Sequence, residues 1–350
     1  MSRGLGDVYK RQIFKEMTLK LFDLAGYDAA AAEKITDEAL QYDKLLAPHV
    51  KSAEENADYS KMYNPESGEE FIQHSQHLDL KNLLIGLIGE VPEKIIVTEP
   101  AFFKKLDELV NPKTFQQMKS WMLVMTLNAL TAYLSEEFRQ VGGIYSRALS
   151  GAPEARPQEK AAFYLASGRF DQIIGDYYGK KYFGEQAKRD VEQMVQRMVG
   201  IYQDRLSSNT WLSEATREKA IIKLNTLGIH VGYPEKIPAI YTHFKVTTAE
   251  EGGTLLSNAL HFSHLKRKED FKKWNQPVER DEWEMSADTV NAYYHPFRNI
   301  IVFPAAILQA PFYSLKQSSS ENFGGIGAVI AHEISHAFDN NGSLFDAVSY

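Results

Sequence analysis

Apolar residues recur at helical spacing along the first part of the chain. Residues 13–25 carry such a pattern at Phe14, Met17, Leu21 and Leu24. This spacing predicts a helix that ends at Gly26. Asp28 is suited to cap the next helix, which is rich in alanine and is expected over residues 29–44.

Longer helices are predicted further along by the same reasoning. They are expected at 115–139 with Thr114 as the N-cap, at 185–206 and at 213–227. One face of the second of these helices should pack in the core, because it carries Val191, Met194, Val195, Met198 and Ile201. Residues 53–70 are polar and residues 150–158 contain two prolines, so both segments are predicted to be loops or linkers.

The pattern changes after Gly228. Short strands are predicted at 229–234, 290–294 and 299–303, followed by a single helix over 323–339. The fold class is therefore mainly α with a small α+β part. We expect a helical N-terminal lobe over 13–234, a connecting segment over 235–288 and an α+β region over 289–350.

Composition narrows the protein class. The chain has 350 residues, of which 44% are hydrophobic and 24% charged, as in a soluble globular protein of about two domains. Its net charge of −7 gives no bulk attraction to phosphate, so no nucleic-acid partner is expected. The chain has no cysteine, which excludes disulfides, cysteine–metal sites and a thiol nucleophile. The longest apolar stretch, 121–134, is too short and too polar to span a bilayer.

Both ends of the chain depart from the pattern between them. Residues 1–12 read MSRGLGDVYKRQ and resemble translated sequencing-adapter sequence, as do residues 347–350. We therefore expect 1–12 to be a non-native tail, with a native segment of about 13–346 that is truncated at both ends. A genuine, disordered N-terminal tail is the alternative.

Candidate chemistry lies near the C-terminal end. His332, Glu333 and His336 form an H-E-x-x-H string inside the last predicted helix. Residues i and i+4 share one face of a helix, so the two imidazoles can converge on one Zn²⁺ ion. Glu333 could then act as general base on a water bound to that metal. Two surface histidines on an ordinary helix are the alternative.

A third protein ligand is not evident in the sequence. The extended pattern H-E-x-x-H-x-x-G-x-x-H requires Gly and His where this chain has Asp339 and Gly342, and no glutamate follows Glu333. Asp339 lies one turn beyond His336 and could orient its imidazole. A structural carboxylate at a helix end is the other interpretation of Asp339, and Asp346 is a weak candidate for a substitute ligand.

Two stretches together resemble the neprilysin family of zinc metalloendopeptidases, which includes bacterial oligopeptidase O-like members. One contains Val290-Asn291-Ala292-Tyr293-Tyr294 and continues to Phe312; the other runs from Gly327 to Gly342. The resemblance implies a thermolysin-like zincin catalytic domain, with His332 and His336 as metal ligands and Glu333 as the catalytic carboxylate. It also implies that Asn291 and Ala292 bind the backbone of an oligopeptide substrate, on an edge strand. Taken alone, Asn291 would be a turn or strand-end residue.

The resemblance also defines what the sequence lacks. The family's third ligand is a glutamate in a later Glu-x-x-x-Asp helix, and later histidine and arginine residues grip the substrate. Neither is in this sequence, so residues 289–350 are expected to form an incomplete catalytic domain with weak zinc binding and negligible turnover. A truncated peptide-binding relative without catalysis is the alternative. The absence of cysteine argues against a disulfide-bonded ectodomain, and bacterial cytoplasmic, secreted and cell-surface locations all stay open.

Overall fold

Amphipathic helices build most of this computed structural model, which describes residues 8–347. The helices, in chain order, are α1 (Val8–Leu24), α2 (Ala29–Leu46), α3 (Ala53–Ala57), α4 (Gly68–Ile72), α5 (Leu80–Ile88), α6 (Pro100–Phe103), α7 (Leu106–Leu109), α8 (Phe115–Leu130), α9 (Glu136–Gly142), α10 (Ile144–Ser150), α11 (Gln158–Arg169), α12 (Asp171–Tyr178), α13 (Gly184–Ser207), α14 (Glu214–Asn225), α15 (Leu255–Lys272), α16 (Ser319–Gly324) and α17 (Ile326–Ser335). The strands are β1 (Pro65–Ser67), β2 (Lys94–Ile96), β3 (Gly228–Gly232), β4 (Tyr293–His295) and β5 (Ile300–Pro304). The predicted class, mainly α with a small β part, is confirmed.

The chain divides into two units. The first runs to Ala161 and also includes Phe244–Trp274, whereas the second comprises Ala162–His243 and continues from Asn275. This division does not follow the predicted boundaries at 234 and 288. Residues 162–234, expected in the helical lobe, belong to the second unit because α13, α14 and β3 share a core with the C-terminal elements.

The first unit is helical, with one small antiparallel pair of strands, β1 and β2. Its main core is formed by apolar faces of α1, α2 and α8, including Phe14, Met17, Leu21, Phe22, Ala32, Ala39 and Val124. The predicted cap of α2 is confirmed, because the Asp28 carboxylate accepts a hydrogen bond from the Ala31 N–H at 2.9 Å. Helix α1 begins at Val8, so residues 8–12 of the predicted tail are helical. Residues 1–7 of that tail lie outside the described residues.

Several predicted elements in the first unit are wrong. The predicted loop 53–70 contains α3, which a capping box of Ser52 and Glu55 stabilises. The predicted helix 115–139 stops at Leu130, and a new helix, α9, begins after the cap Ser135. Thr114 occupies the N-cap position of α8 as predicted, but its side chain makes no capping hydrogen bond, because its hydroxyl donates to the Leu109 carbonyl at 2.7 Å.

The second unit is built around a three-stranded sheet of order β3-β5-β4. The central strand β5 pairs in parallel with β3 and antiparallel with β4, and all five of its residues are buried. Its side chains alternate between two cores, as a strand covered on both faces requires. Ile301 and Phe303 pack with apolar residues of α13 and α17, while Ile300 and Val302 pack with Tyr233 and Trp283.

The predicted helix over 323–339 is broken at Gly325, which separates α16 from α17. A Cβ atom on Gly325 would lie 2.3 Å from the Phe312 carbonyl oxygen, which accepts the Ile326 N–H at 2.8 Å. This close approach of two backbone segments redirects the chain before α17. Among residues 8–347, no helix has both the length and the apolar character that crossing a bilayer requires.

Candidate metal centre

Helix α17 presents its two faces to different surroundings. Ile326, Ile330 and Ile334 recur at i and i+4 and are fully buried in the core of the second unit. His332 lies on the opposite, solvent-facing side, and His336 follows the last helical residue with helical backbone angles. The helix is also held from α13, because the Tyr202 hydroxyl donates to the Ala331 carbonyl at 3.0 Å.

The two imidazoles converge as the H-E-x-x-H spacing predicts. The Nε2 atoms of His332 and His336 are 3.0 Å apart, and their ring planes are inclined at 80°. Two nitrogens bound to one tetrahedral zinc at about 2.0–2.1 Å would be about 3.3 Å apart. The pair of nitrogens therefore fits two ligands of a single zinc ion.

The Asp339 carboxylate contacts the His336 ring nitrogen that does not face His332. Its Oδ2 atom lies 2.7 Å from His336 Nδ1, and its Oδ1 atom accepts the N–H groups of Asn341 at 2.9 Å and Gly342 at 2.7 Å. Partial burial opposes its charge, but these N–H groups and the imidazole hold the pKa of Asp339 below its usual value. A carboxylate at Nδ1 favours the tautomer with its proton on that nitrogen, which leaves the Nε2 lone pair free for a metal.

Glu333 lies on the inner side of the histidine pair. Its side chain is buried, and burial raises its pKa despite the opposing effects of both imidazoles and the Tyr294 backbone N–H. Since Tyr294 belongs to β4, the carboxylate lies between the helix and the edge strand of the sheet. A buried carboxylate with a raised pKa is suited to exchanging protons with a neighbouring molecule.

No third metal ligand joins the histidine pair within residues 8–347. No group of three or more His, Cys, Asp and Glu side chains that could hold a metal ion occurs there. Asp346 is therefore not placed as the substitute ligand that the sequence left open. Two imidazole donors match the chemistry of zinc but make up only part of a usual protein ligand set.

The predicted peptide-binding pair lies immediately before β4 rather than within it. Asn291 is exposed, and its Oδ1 atom accepts the N–H of Ala292 at 2.9 Å. Ladder pairing starts only at Tyr293, because the backbone N–H of Asn291 is taken by the Thr289 carbonyl in the preceding turn. The side chain of Ala292 is buried in the core.

Comparison with known proteins connects this geometry to a family. A family model described as peptidase family M13 matches residues 6–234, and a second model with the same description matches residues 291–349. The chain belongs to peptidase family M13. The neprilysin-family resemblance is therefore confirmed, and the first match includes part of the predicted 1–12 tail.

Individual relatives agree with this assignment. A protein named neutral endopeptidase from Lactococcus lactis subsp. lactis is 48% identical over 323 residues, which cover 92% of this chain and 51% of the relative. The crystal structure of PEPO from Lactobacillus rhamnosis matches with a TM-score of 0.92 and 37% identity, over 97% of this chain and 54% of that one. The structure of the zinc metalloprotease ZMP1 of Mycobacterium tuberculosis, in complex with an inhibitor, matches with a TM-score of 0.87 and 27% identity. The match covers 99% of this chain and 52% of that one.

The chain spans about half the length of the curated relatives it matches. Zinc is supported as the metal, since the structural relative ZMP1 is described as a zinc metalloprotease.

The structure adds a residue that sequence spacing does not reveal. Lys223 of α14 is buried and donates three hydrogen bonds to the segment that follows the histidines. One signal was present in the sequence, because Lys223 and Leu227 would share one face of the predicted helix 213–227, although α14 ends at Asn225. A lysine on an apolar helix face is uncommon unless its ammonium has partners.

Proposed function

We propose that this chain carries the zinc-binding histidines and the general base of a metalloendopeptidase that hydrolyses oligopeptides. The observation that carries the proposal is the convergence of two Nε2 atoms, 3.0 Å apart, beside the buried carboxylate of Glu333. His332 and His336 would hold the metal, and Asp339 would orient His336. When bound, zinc polarises the scissile carbonyl and lowers the pKa of a nearby water.

The remaining chemistry belongs to the residues of the chain. Glu333 would take a proton from the attacking water and return it to the leaving amine. Its raised pKa supports the first of these steps, because a more basic carboxylate accepts a proton more readily than an exposed one. Asn291 would donate its side-chain amide N–H to the substrate backbone, and Ala292 would contribute through its own backbone.

We expect weak zinc binding and negligible turnover from these residues by themselves. The described residues supply two imidazoles, whereas catalytic zinc sites commonly have three protein ligands. Oligopeptides are the expected substrates, by analogy with the relatives named endopeptidases.

The test compares the chain with Glu333→Gln, which keeps the size of the side chain but removes the base. Zinc affinity is measured by competition with a chromophoric chelator, and cleavage is followed on a fluorogenic oligopeptide. We expect Glu333→Gln to retain zinc and to lose whatever cleavage the unmodified chain has. Glu218→Gln, at an exposed position on α14, is the matched control and should change neither quantity.

The outcomes separate the proposal from its rival. Cleavage that survives Glu333→Gln would contradict the role of Glu333 as base. Zinc-independent peptide binding, without cleavage and unchanged by Glu333→Gln, would favour a non-catalytic peptide-binding protein instead.

A further inference from the structure

The ammonium group of Lys223 lies in the protein interior. The residue is 4% exposed, and its Nζ atom donates to the carbonyl oxygens of Ala337 at 2.9 Å, Gly342 at 2.6 Å and Phe345 at 2.7 Å. An ammonium has three N–H donors, so these three acceptors satisfy it fully. All three carbonyls belong to one stretch, residues 337–345, which we term the clamp segment.

The clamp segment closes around Asp339. The carbonyls bound by Lys223 come from both sides of Asp339, two residues before it and three and six residues after it. Within the segment, the Ser343 N–H donates to the Asp339 carbonyl at 2.9 Å. Gly342 approaches His336 so closely that a Cβ atom would lie 1.8 Å from the His336 carbonyl oxygen. The backbone that carries Asp339 is thus fixed from both ends by Lys223.

We propose that Lys223 is a positioning residue of the metal centre, which holds the Asp339 carboxylate against His336 Nδ1 and thereby turns His336 Nε2 toward His332. The inference rests on the proposed function for the identity of the metal. Its geometric part rests on a continuous chain of contacts, from Lys223 Nζ through the clamp segment to the 2.7 Å contact between Asp339 and His336.

A simple packing role does not account for these contacts. The Lys223 ammonium is 5.8 Å from the ring centre of Tyr294 and 6.0 Å from that of Phe338. An apolar side chain could fill this space beside the two rings equally well, so packing alone does not require a lysine here. Burying an ammonium is costly, and burial lowers the pKa of Lys223 to about 8. The three hydrogen bonds to carbonyl oxygens offset that cost. They also let the ammonium hold three carbonyl groups at one point, which an apolar side chain cannot do.

The position of Lys223 is itself fixed from a third element. Asn299 is buried, with a positive φ of 48°, and its Nδ2 atom donates to the Lys223 carbonyl at 3.0 Å and to Thr226 Oγ1 at 3.1 Å. The turn between β4 and β5 therefore ties down the end of α14 that carries Lys223. This arrangement gives the ammonium a defined place from which to hold the clamp segment.

The first test needs no metal. The chain is labelled with ¹⁵N-histidine, and His336 is assigned by comparison with His336→Gln. Near neutral pH, the ring-nitrogen shifts of zinc-free protein should show His336 mainly as the Nδ1–H tautomer. Lys223→Met and Asp339→Ala should each shift His336 toward a mixture of tautomers, and the double variant should be no more mixed than Asp339→Ala alone.

The control is Lys219→Met, an exposed lysine one turn earlier on α14, which should leave the His336 shifts unchanged. An unchanged His336 tautomer in folded Lys223→Met, or effects of the two substitutions that simply add, would overturn the proposal. If circular dichroism shows that Lys223→Met does not fold, Lys223→Gln takes its place, because glutamine keeps two N–H donors. The His336 tautomer is then measured in the same way. An intermediate shift supports the positioning role, and wild-type shifts overturn it.

The second test uses Zn²⁺ alone as the probe. Lys223→Met should weaken zinc binding by about tenfold, within the range of about 10–100-fold for loss of groups that orient ligands. A folded variant with unchanged zinc affinity would overturn the positioning role. If the unmodified chain binds no zinc but His336 still depends on Lys223, the proposed function fails while the positioning role stands.

Discussion

The two sides of the candidate site are held in different ways. On the metal side, the histidine pair and Asp339 are fixed by contacts that reach far along the chain, from Tyr202 and Lys223. On the peptide side, the exposed Asn291 accepts its side-chain hydrogen bond from its neighbour Ala292. One side is therefore preorganised by the fold, whereas the other is set by local backbone geometry.

Because of this difference, the metal side can be tested in the chain alone, whereas the peptide side needs a bound peptide. The metal side holds its geometry without a ligand, since His336 Nε2 already faces His332 Nε2 and Asp339 already contacts Nδ1. Substitutions there should change metal affinity and stability in the chain alone. The peptide side should respond only when a peptide is present.

The largest expected effect would break the metal side directly. His332→Ala removes one of two imidazole donors. Zinc affinity should therefore fall by more than about 100-fold, which is the largest loss typical of groups that only orient a metal ligand. The measurement is chelator competition. His264→Ala, at an exposed position on α15, is the control and should bind as the unmodified chain does. Unchanged affinity in His332→Ala would mean that zinc binds elsewhere.

A second change would disturb the turn that supports Asp339. Gly342→Ala places a Cβ atom 1.8 Å from the His336 carbonyl oxygen, so the backbone must shift. We expect the free energy of unfolding to fall by about 3 kcal/mol, at the upper end for overpacking. Zinc affinity should fall with it.

The matched control for that change is Gly200→Ala, which lies within α13 and has no atom within 4 Å of the added Cβ. Replacing a helical glycine there should raise the free energy of unfolding by about 0.5–1 kcal/mol. Urea unfolding followed by fluorescence measures both variants. Equal stability of Gly342→Ala and the unmodified chain would show that the turn is not tightly held.

A third prediction uses pH. Burial lowers the pKa of Lys223 to about 8, from about 10.5 in the unfolded chain. Between these two values the unfolded state binds more protons than the folded state, so the free energy of unfolding rises with pH through this window. We expect the unmodified chain to gain about 2 kcal/mol relative to Lys223→Met between pH 8 and pH 10. A stability difference that is flat or falls with rising pH would contradict the buried ammonium.

The smallest expected effect lies on the peptide side. Asn291→Ala removes an exposed side chain, so the free energy of unfolding should change by less than about 0.5 kcal/mol and zinc affinity should not change. Binding of an oligopeptide, measured by fluorescence anisotropy, should weaken about tenfold because hydrogen bonds to the peptide are lost. Asn291→Asp keeps an oxygen acceptor but lacks the amide N–H donor, so it tests whether the donor or the acceptor of Asn291 binds the peptide. Peptide affinity that is equal in all three proteins would exclude Asn291 from the binding surface.

Sequence spacing predicts contacts within one helix better than contacts between elements. His332, Glu333 and His336 lie on α17 and its C-cap, so helical periodicity brings them together. Asp339 lies beyond the end of that helix. Lys223 is 114 residues from Ala337, and Tyr202 is 129 residues from Ala331, so no local pattern could join them.

The errors in the predicted elements have the same origin. The break at Gly325 depends on the close approach of the Phe312 backbone, which is a tertiary contact. The burial of the Ala292 side chain in the core is likewise a tertiary effect. Asn291 lies two residues before β4, outside the edge strand on which the resemblance placed it.

The most direct test of the central claim is an anomalous difference map at the zinc absorption edge, from crystals of the chain grown with Zn²⁺. The account predicts a peak about 2.0–2.1 Å from both His332 Nε2 and His336 Nε2, with Asp339 still on His336 Nδ1. Zinc found on other residues, with none between these two nitrogens, would contradict it.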